Sequence, residues 1–366
     1  MKTFRDPLLR ISFSMLTALL SLSPFAHADV ALKGINFSGG EFGNCNNPAA
    51  KYGFSYIFLD NDSIDSFRRS GMNVFRVPFC WERLQPAAMG ALDKDELARI
   101  DKMVQYTTGL GAHIILDPHN FGSYWKKPLA SDSDKQAFAD LWKKLAAQYK
   151  NNDNVIFGLM NEPISIPGEQ WISTANLAIA AIREAGAKNL ILVPGIAWTG
   201  AHSWASTSYG TPNAVTTLNV VDSANHYAYE VHQYFDKDSS GTSATCVDEN
   251  IGVARIAEFE KWLRKNNKKA FLGEFGAGRN PTCFAAVSNL LDELRKNSDI
   301  WLGWAYWNAG PWQDNYMFNI PAKREQQPRT QMEVLNKFLD PATACGKGSL
   351  TCAASPPTMK RIQPLN

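Results

Sequence analysis

Eight short, continuously apolar runs recur along this chain of 366 residues, each separated from the next by a longer segment of helical character. The runs are Leu32–Ser38, Asn73–Phe79, His113–His119, Val155–Pro163, Leu190–Gly195, Tyr229–Asp236, Ala270–Gly276 and Trp301–Asn308. They lack the alternation of a half-exposed strand and read as strands covered on both faces. Amphipathic stretches such as Glu96–Leu110, Asp134–Tyr149, Gln170–Ala185, Ile251–Asn266 and Phe284–Lys296 supply the covering helices. Several open on Ser, Thr or Asp and close near Gly or Asn, as from Ser63 to Gly71. Eight such β/α units predict an α/β protein built as a single (β/α)8 TIM barrel. The alternative, an open doubly wound sheet, usually carries a glycine-rich phosphate loop after its first strand. Gly39-Gly40 stands there without the G-x-G-x-x-G spacing.

Residues 1–28 read as a cleaved signal peptide. A basic start precedes the apolar run Ile11–Phe25 and then Ala26-His27-Ala28, a small-x-small site. The run is shorter than the roughly 20 residues a membrane span requires, and no later segment is long and apolar enough to cross. Secretion is expected, to the medium or a periplasm, with no membrane association. Of 37 basic and 35 acidic side chains, three and one lie in the leader, which leaves 34 of each. That balance gives no electrostatic case for nucleic acid and favours a neutral or weakly charged substrate. Six cysteines follow the leader, and six allow fifteen full pairings. Cys345 and Cys352 close a short loop and are expected to pair locally, while Cys246 and Cys283 lie in loops that a bridge could staple. No Cys-x-x-Cys or Cys/His cluster favours zinc. One catalytic domain is expected over residues 29–340, with a tail at 341–366, as a monomer.

In a barrel, chemistry sits at the C-terminal ends of the strands. Here those ends read Arg76-Val77-Pro78, Asp117-Pro118-His119, Asn161-Glu162-Pro163, His232-Gln233-Tyr234, Gly273-Glu274-Phe275-Gly276 and Tyr306-Trp307-Asn308. A glutamate closing an apolar strand is costly to bury and must be paired, solvated or functional. Two of them, Glu162 and Glu274, facing each other across a barrel mouth are what cleavage of a glycosidic bond needs. His226 competes with His232 for a place in the mouth, but only His232 has a tyrosine two residues on, on the same strand face.

These motifs together resemble glycoside hydrolase family 5, the retaining β-glycanases of clan A, from about Lys33 to Asp340. The stretch His232–Thr242 and the turn Ala309-Gly310-Pro311-Trp312 resemble its secreted endo-β-1,4-glucanase (cellulase) branch. The resemblance implies that Glu162 is the acid/base and Glu274 the nucleophile. It implies that Asn161 bonds the sugar 2-hydroxyl, that Tyr234 and Arg76 hold the nucleophile ionised, and that His119, His232 and Trp307 line the subsite at the scissile bond. The implied partner is a β-1,4-glucan polysaccharide, with no cofactor and no metal; mannanase, xylanase and mixed-linkage glucanase are the alternatives within the family. Loop indoles, Trp204 and Trp312 above all but also Trp125 and Trp198, could stack on sugar rings. The stretch Asp236-x-Asp238-x-Ser240-Gly241 mimics the opening of a calcium loop, but its twelfth position is Val247 and no helix precedes it.

Overall fold

A computed structural model describes residues 29–323 and 330–341. The leader and the Cys345–Cys352 loop lie outside the described residues. Eight parallel strands form a closed barrel, each adjacent to its sequence neighbours. They are β1 (Leu32–Phe37), β2 (Val74–Phe79), β3 (His113–Pro118), β4 (Val155–Gly158), β5 (Ile191–Pro194), β6 (Tyr227–His232), β7 (Ala270–Glu274) and β8 (Trp301–Ala309). The ring closes where β1 pairs with β8 on one side and β2 on the other. Helices α1 (Asn61–Arg69), α2 (Lys94–Gly109), α3 (Asp132–Tyr149), α4 (Gly168–Glu184), α5 (Asn213–Thr216), α6 (Ile251–Lys265), α7 (Pro281–Lys296) and α8 (Met332–Leu335) follow the strands in turn. A one-turn helix at Trp81–Leu84 and a small hairpin, Ser123–Tyr124 with Lys127–Pro128, decorate the loops.

The helix starts follow the local chemistry. Asp60, Asp93, Ser131 and Asn280 each accept a bond from a backbone amide in the first turn of α1, α2, α3 and α7. At α3 the bond is reciprocated by Asp134, which completes a capping box. Among the described residues no helix is long and apolar enough to cross a membrane.

Strand periodicity stacks the barrel interior in layers. One buried residue from each strand fills the floor: Leu32, Val74, Ile115, Ile156, Leu192, Ala228, Phe271 and Ala305. Two residues further along, where the side chain points inward again, the sequence turns polar or small: Arg76, Asp117, Gly158, Glu230 and Gly273. The apolar floor therefore carries a charged storey directly beneath the mouth. Between Val231 and His232 the β6–β7 register shifts, which sets His232 opposite Glu274.

Two disulfides brace the loops, Cys246–Cys283 and Cys45–Cys80. The first joins the loop after β6 to the start of α7. The second ties the loop after β1 to the end of β2, and nothing in the spacing of the cysteines singled it out.

One buried acid on the outer wall makes stability depend on pH. Glu260 of α6 accepts a hydrogen bond from Trp301 Nε1 at 2.7 Å. Burial pushes its carboxyl up to about 7; the Trp301 bond and Arg264 oppose the rise, and Glu293 and Asp299 add to it. Folding therefore raises the proton affinity of this group. Its contribution is full below the ordinary carboxylate range and is lost as pH rises through about 7. The melting temperature should fall between pH 5 and pH 8, and Glu260→Gln, which keeps an acceptor for Trp301, should flatten that fall. Thermal unfolding across this range checks it, and an equal slope in the variant would contradict it.

Candidate active site

Arg76 is the hub of the charged storey. Its Nη1 lies 2.9 Å from Glu274 Oε1, 2.9 Å from Asn36 Oδ1 and 3.1 Å from Asp117 Oδ2. Nη2 donates to Asn161 Oδ1 at 2.9 Å, and Nε lies 2.8 Å from Glu230 Oε1. Burial works against the guanidinium charge, but Asp117, Glu230 and Glu274 outweigh it and hold the group cationic. The planar fork thus touches residues from β1, β2's neighbour β3, the segment after β4, β6 and β7, a reach no lysine provides. The Arg76 bond also fixes the Asn161 amide, because Oδ1 must face the donor. Its Nδ2 is left buried without a protein partner, a donor available to a ligand hydroxyl.

Glu162 and Glu274 stand in this frame with different surroundings. Glu274 accepts from Tyr234 Oη at 2.8 Å in addition to Arg76. Glu162 lies 2.6 Å from His232 Nδ1, and the same nitrogen is 3.5 Å from Glu274 Oε2. A carboxylate oxygen of each glutamate and a His232 ring nitrogen lie within 4.8 Å of one another. Glu162 has a backbone φ of 43°, in the left-handed region that non-glycine residues avoid. Such strain is found where a side chain must be aimed.

Electrostatics couple the three groups. Burial pushes the Glu274 carboxyl above its ordinary range; His232 and Arg76 pull it down, and Glu162 adds to the rise. The net direction is upward, so the cations moderate the effect of burial without reversing it. For His232 burial opposes the charge, but Glu274, with bonding to Glu162 and Glu230, raises it to about 10. Tyr234 is pushed well up by burial and then by the Glu274 and Glu162 charges, and so stays a hydroxyl donor.

The aromatic wall comes next. The His119 and Trp307 rings stack 5.6 Å apart at an interplanar angle of 15°. Asp117 holds His119 through Nδ1 at 2.8 Å. Tyr234 stacks on Phe318 at 6.0 Å, backing the bond to Glu274. All eight strand-end residues anticipated from the sequence, Arg76, His119, Asn161, Glu162, His232, Tyr234, Glu274 and Trp307, converge on this mouth. Sequence reasoning missed Glu230, whose signal was its place two residues before His232 on the same inward face. It also assigned no part to Asn36 and Asp117.

The loop indoles divide. Trp204 is a correction: only 1% exposed, it packs edge-on against Tyr229, Phe259 and Trp262 and cannot offer a face to a sugar. Trp312, at 55% exposed, and Trp198, at 46%, remain open. Trp125 is half-buried, its Nε1 donating to Pro86 O. Trp198 rides on Ala197–Thr199, three consecutive residues of positive φ, and lines a cavity of about 570 Å³ with Tyr209, Ile164 and Ser165. That cavity begins two residues beyond Glu162. His226 is exposed at the opposite end of β6, its Nδ1 2.8 Å from Lys188 O. Asp236 accepts the backbone amides of Gly241, Thr242 and Ser243 and so anchors its own turn.

Comparison with known proteins gives a consistent result. The family model Cellulase (glycosyl hydrolase family 5) matches residues 28–310. Endo-beta-1,4-glucanase B of Aspergillus niger is 39% identical over 307 residues, covering 84% of this chain and 89% of its own length. An endoglucanase of Neurospora crassa is 42% identical over 289 residues, covering 78% and 72%. The structure of XacCel5A in complex with cellopentaose matches with a TM-score of 0.82 at 42% identity, over 84% of this chain and 99% of that one. An endo-beta-1,4-glucanase of Xanthomonas axonopodis pv. citri matches at 0.81 and 40% identity, over 85% of this chain and all of its own. With its closed β/α barrel and a family match across most of its length, the chain belongs to glycosyl hydrolase family 5, the cellulase family.

Proposed function

We propose that the protein is a secreted endo-β-1,4-glucanase that cuts internal bonds of cellulose and related glucans with retention of anomeric configuration. The observation that carries this reading is the Glu162–Glu274 pair, with a carboxylate oxygen of each within 4.8 Å of the other at the barrel mouth. Inverting pairs stand about 6.5–9.5 Å apart to admit a water, whereas retaining pairs stand about 5–5.5 Å apart. The short spacing favours direct attack.

Glu274, oriented by Arg76 and Tyr234, attacks the anomeric carbon, while Glu162 gives its proton to the leaving oxygen. A covalent glycosyl-enzyme results. Glu162 then takes a proton from water, which displaces Glu274 and regenerates both groups. The free Nδ2 of Asn161 meets the 2-hydroxyl of the sugar, and Trp307, backed by His119, offers it a flat face. His232, bonded to Glu162 and 3.5 Å from Glu274, bridges the two acids. Because Glu162 serves the leaving group, the cavity beside it with Trp198 takes the departing part of the chain. The named activities of the fungal and bacterial relatives support the β-1,4-glucan substrate. The leader-like first 28 residues and two formed disulfides support export.

Glu274→Ala should abolish the loss of viscosity of carboxymethylcellulose, by about 10⁴-fold or more in rate, with the circular dichroism spectrum unchanged. The wild-type viscosity should fall well before reducing ends accumulate. Faster cleavage of mannan or xylan than of carboxymethylcellulose would overturn the substrate assignment.

The pH profile follows from the upward direction at Glu274. Attack needs the carboxylate, so kcat/KM should fall as pH drops through a value above the ordinary 4.5. Tyr234→Phe removes a hydrogen bond to the charged form and should move this acidic limb higher still. A limb at or below the ordinary carboxylate range, or one unmoved in the variant, would contradict the assignment.

A further inference from the structure

The loop after β3 is built around a buried acid from the one-turn helix at Trp81–Leu84. Glu82, only 2% exposed, accepts from Asn120 Nδ2 at 2.6 Å through one oxygen and from the Trp125 amide at 2.8 Å through the other. A carboxylate this deep is costly unless its oxygens are satisfied, and here both donors belong to the loop. The Asn120 amide cannot turn over, because its Oδ1 accepts from the Trp81 amide at 3.0 Å. The same short segment grips the far end of the loop again. The Trp81 and Tyr124 rings lie 4.1 Å apart, and Tyr124 Oη donates to Gln85 O. Residues 120–125 are thus pinned at both ends.

What the pins present is Phe121. Its φ of 54° lies in the left-handed region that a bulky residue avoids, and a backbone stays there only when its surroundings impose it. The Phe121 ring stands nearly perpendicular to His119, with centroids 5.3 Å apart at 81°, while Trp307 stacks on the same imidazole. The Phe121 carbonyl accepts from the Ile164 amide at 3.3 Å, and a Cβ at Gly122 would stand 3.3 Å from Pro163 Cα. The loop therefore lies directly against the segment that carries Glu162. Ile164 also lines the cavity shared with Trp198. Phe121 fills the gap between the His119–Trp307 wall and that cavity, and at 37% exposed it keeps apolar surface open to a ligand. A β-linked glucose ring, whose hydroxyls are equatorial, turns C–H groups toward such a surface.

We propose that Phe121 is a further sugar-binding residue on the leaving-group side of the scissile bond, and that Glu82 is the positioning residue that holds it there through Asn120 and Trp125. Glu82 itself touches no sugar. This rests on the reading of the mouth as a glycan site.

Calorimetry of cellopentaose binding to the Glu274→Ala protein, which cannot turn it over, measures the contact. Adding Phe121→Ala should weaken binding about three- to tenfold, the scale of a partly buried aromatic side chain, and Phe121→Tyr should keep most of the affinity. Glu82→Gln keeps one acceptor but sets an N–H against one of the two donors. It should weaken binding to a similar or smaller extent and speed amide exchange over residues 120–125 in the substrate-free protein. In the Phe121→Ala background the same change should cost less than about twofold, because a residue that acts through another is not additive with it. Should Glu82→Gln not fold, Asn120→Ala cuts one of the two links with Glu82 in place and is read in the same way. Unchanged affinity in Phe121→Ala, or losses at Glu82 and Phe121 that multiply, overturn the proposal. If the parent binds mannopentaose or xylopentaose and not cellopentaose, the glucan reading fails instead, and the same affinity ratios with that ligand decide the roles of Phe121 and Glu82.

Discussion

A guanidinium sealed inside the barrel, with no access to water, sets the terms for everything above it. Removing one partner of such a buried cluster costs about 3–5 kcal/mol, because the remaining charge is left without compensation. Arg76 therefore requires its acids, and Asp117, Glu230 and Glu274 in turn require Arg76. The backbone accommodates the cluster by giving up a side chain at Gly273. A Cβ at Gly273 would stand 2.2 Å from Glu230 Oε1. The glycine beside the nucleophile is thus there for the sake of its neighbour's carboxylate.

The same cluster explains how two glutamates of one type acquire different tasks. Glu274 is locked by Arg76 and Tyr234, closed to solvent and aimed by two fixed donors. Glu162 meets the His232 ring nitrogen at 2.6 Å and keeps more exposure to the cleft. A carboxylate held by two fixed donors suits attack on carbon, and one more open to the cleft suits passing a proton to the leaving group and taking one from water. The floor of apolar residues below keeps water out of this arrangement from beneath.

What could be read in the sequence followed from strand periodicity, because inward-facing positions are set by local alternation. Each of the eight apolar runs overlaps one of β1 to β8, the fourth and sixth running past Gly158 and His232 into the loops, and each chemical residue named at a strand end lies at the mouth. Glu230 obeys the same alternation, yet a lone acid inside a tyrosine-rich run gives no sign that an arginine on β2 awaits it. Loops offered no such guide. Trp204 and Trp312 look alike as residues, but one is swallowed by Tyr229, Phe259 and Trp262 and the other stands open, and only tertiary packing decides. The Cys45–Cys80 bridge was hidden for a related reason: Cys80, at the end of β2, is brought near the β1 loop only by barrel closure.

The nucleophile is where the cluster and the proposed chemistry meet, and it can be labelled. A 2-deoxy-2-fluoro cellobioside with a good leaving group slows the second displacement more than the first and traps the glycosyl-enzyme. Peptide mapping by mass spectrometry of the inactivated protein should place one fluorinated sugar on Glu274 and none in the Glu274→Ala variant. A label on Glu162, or steady turnover with no label at all, would contradict a double displacement at an Arg76-bound nucleophile.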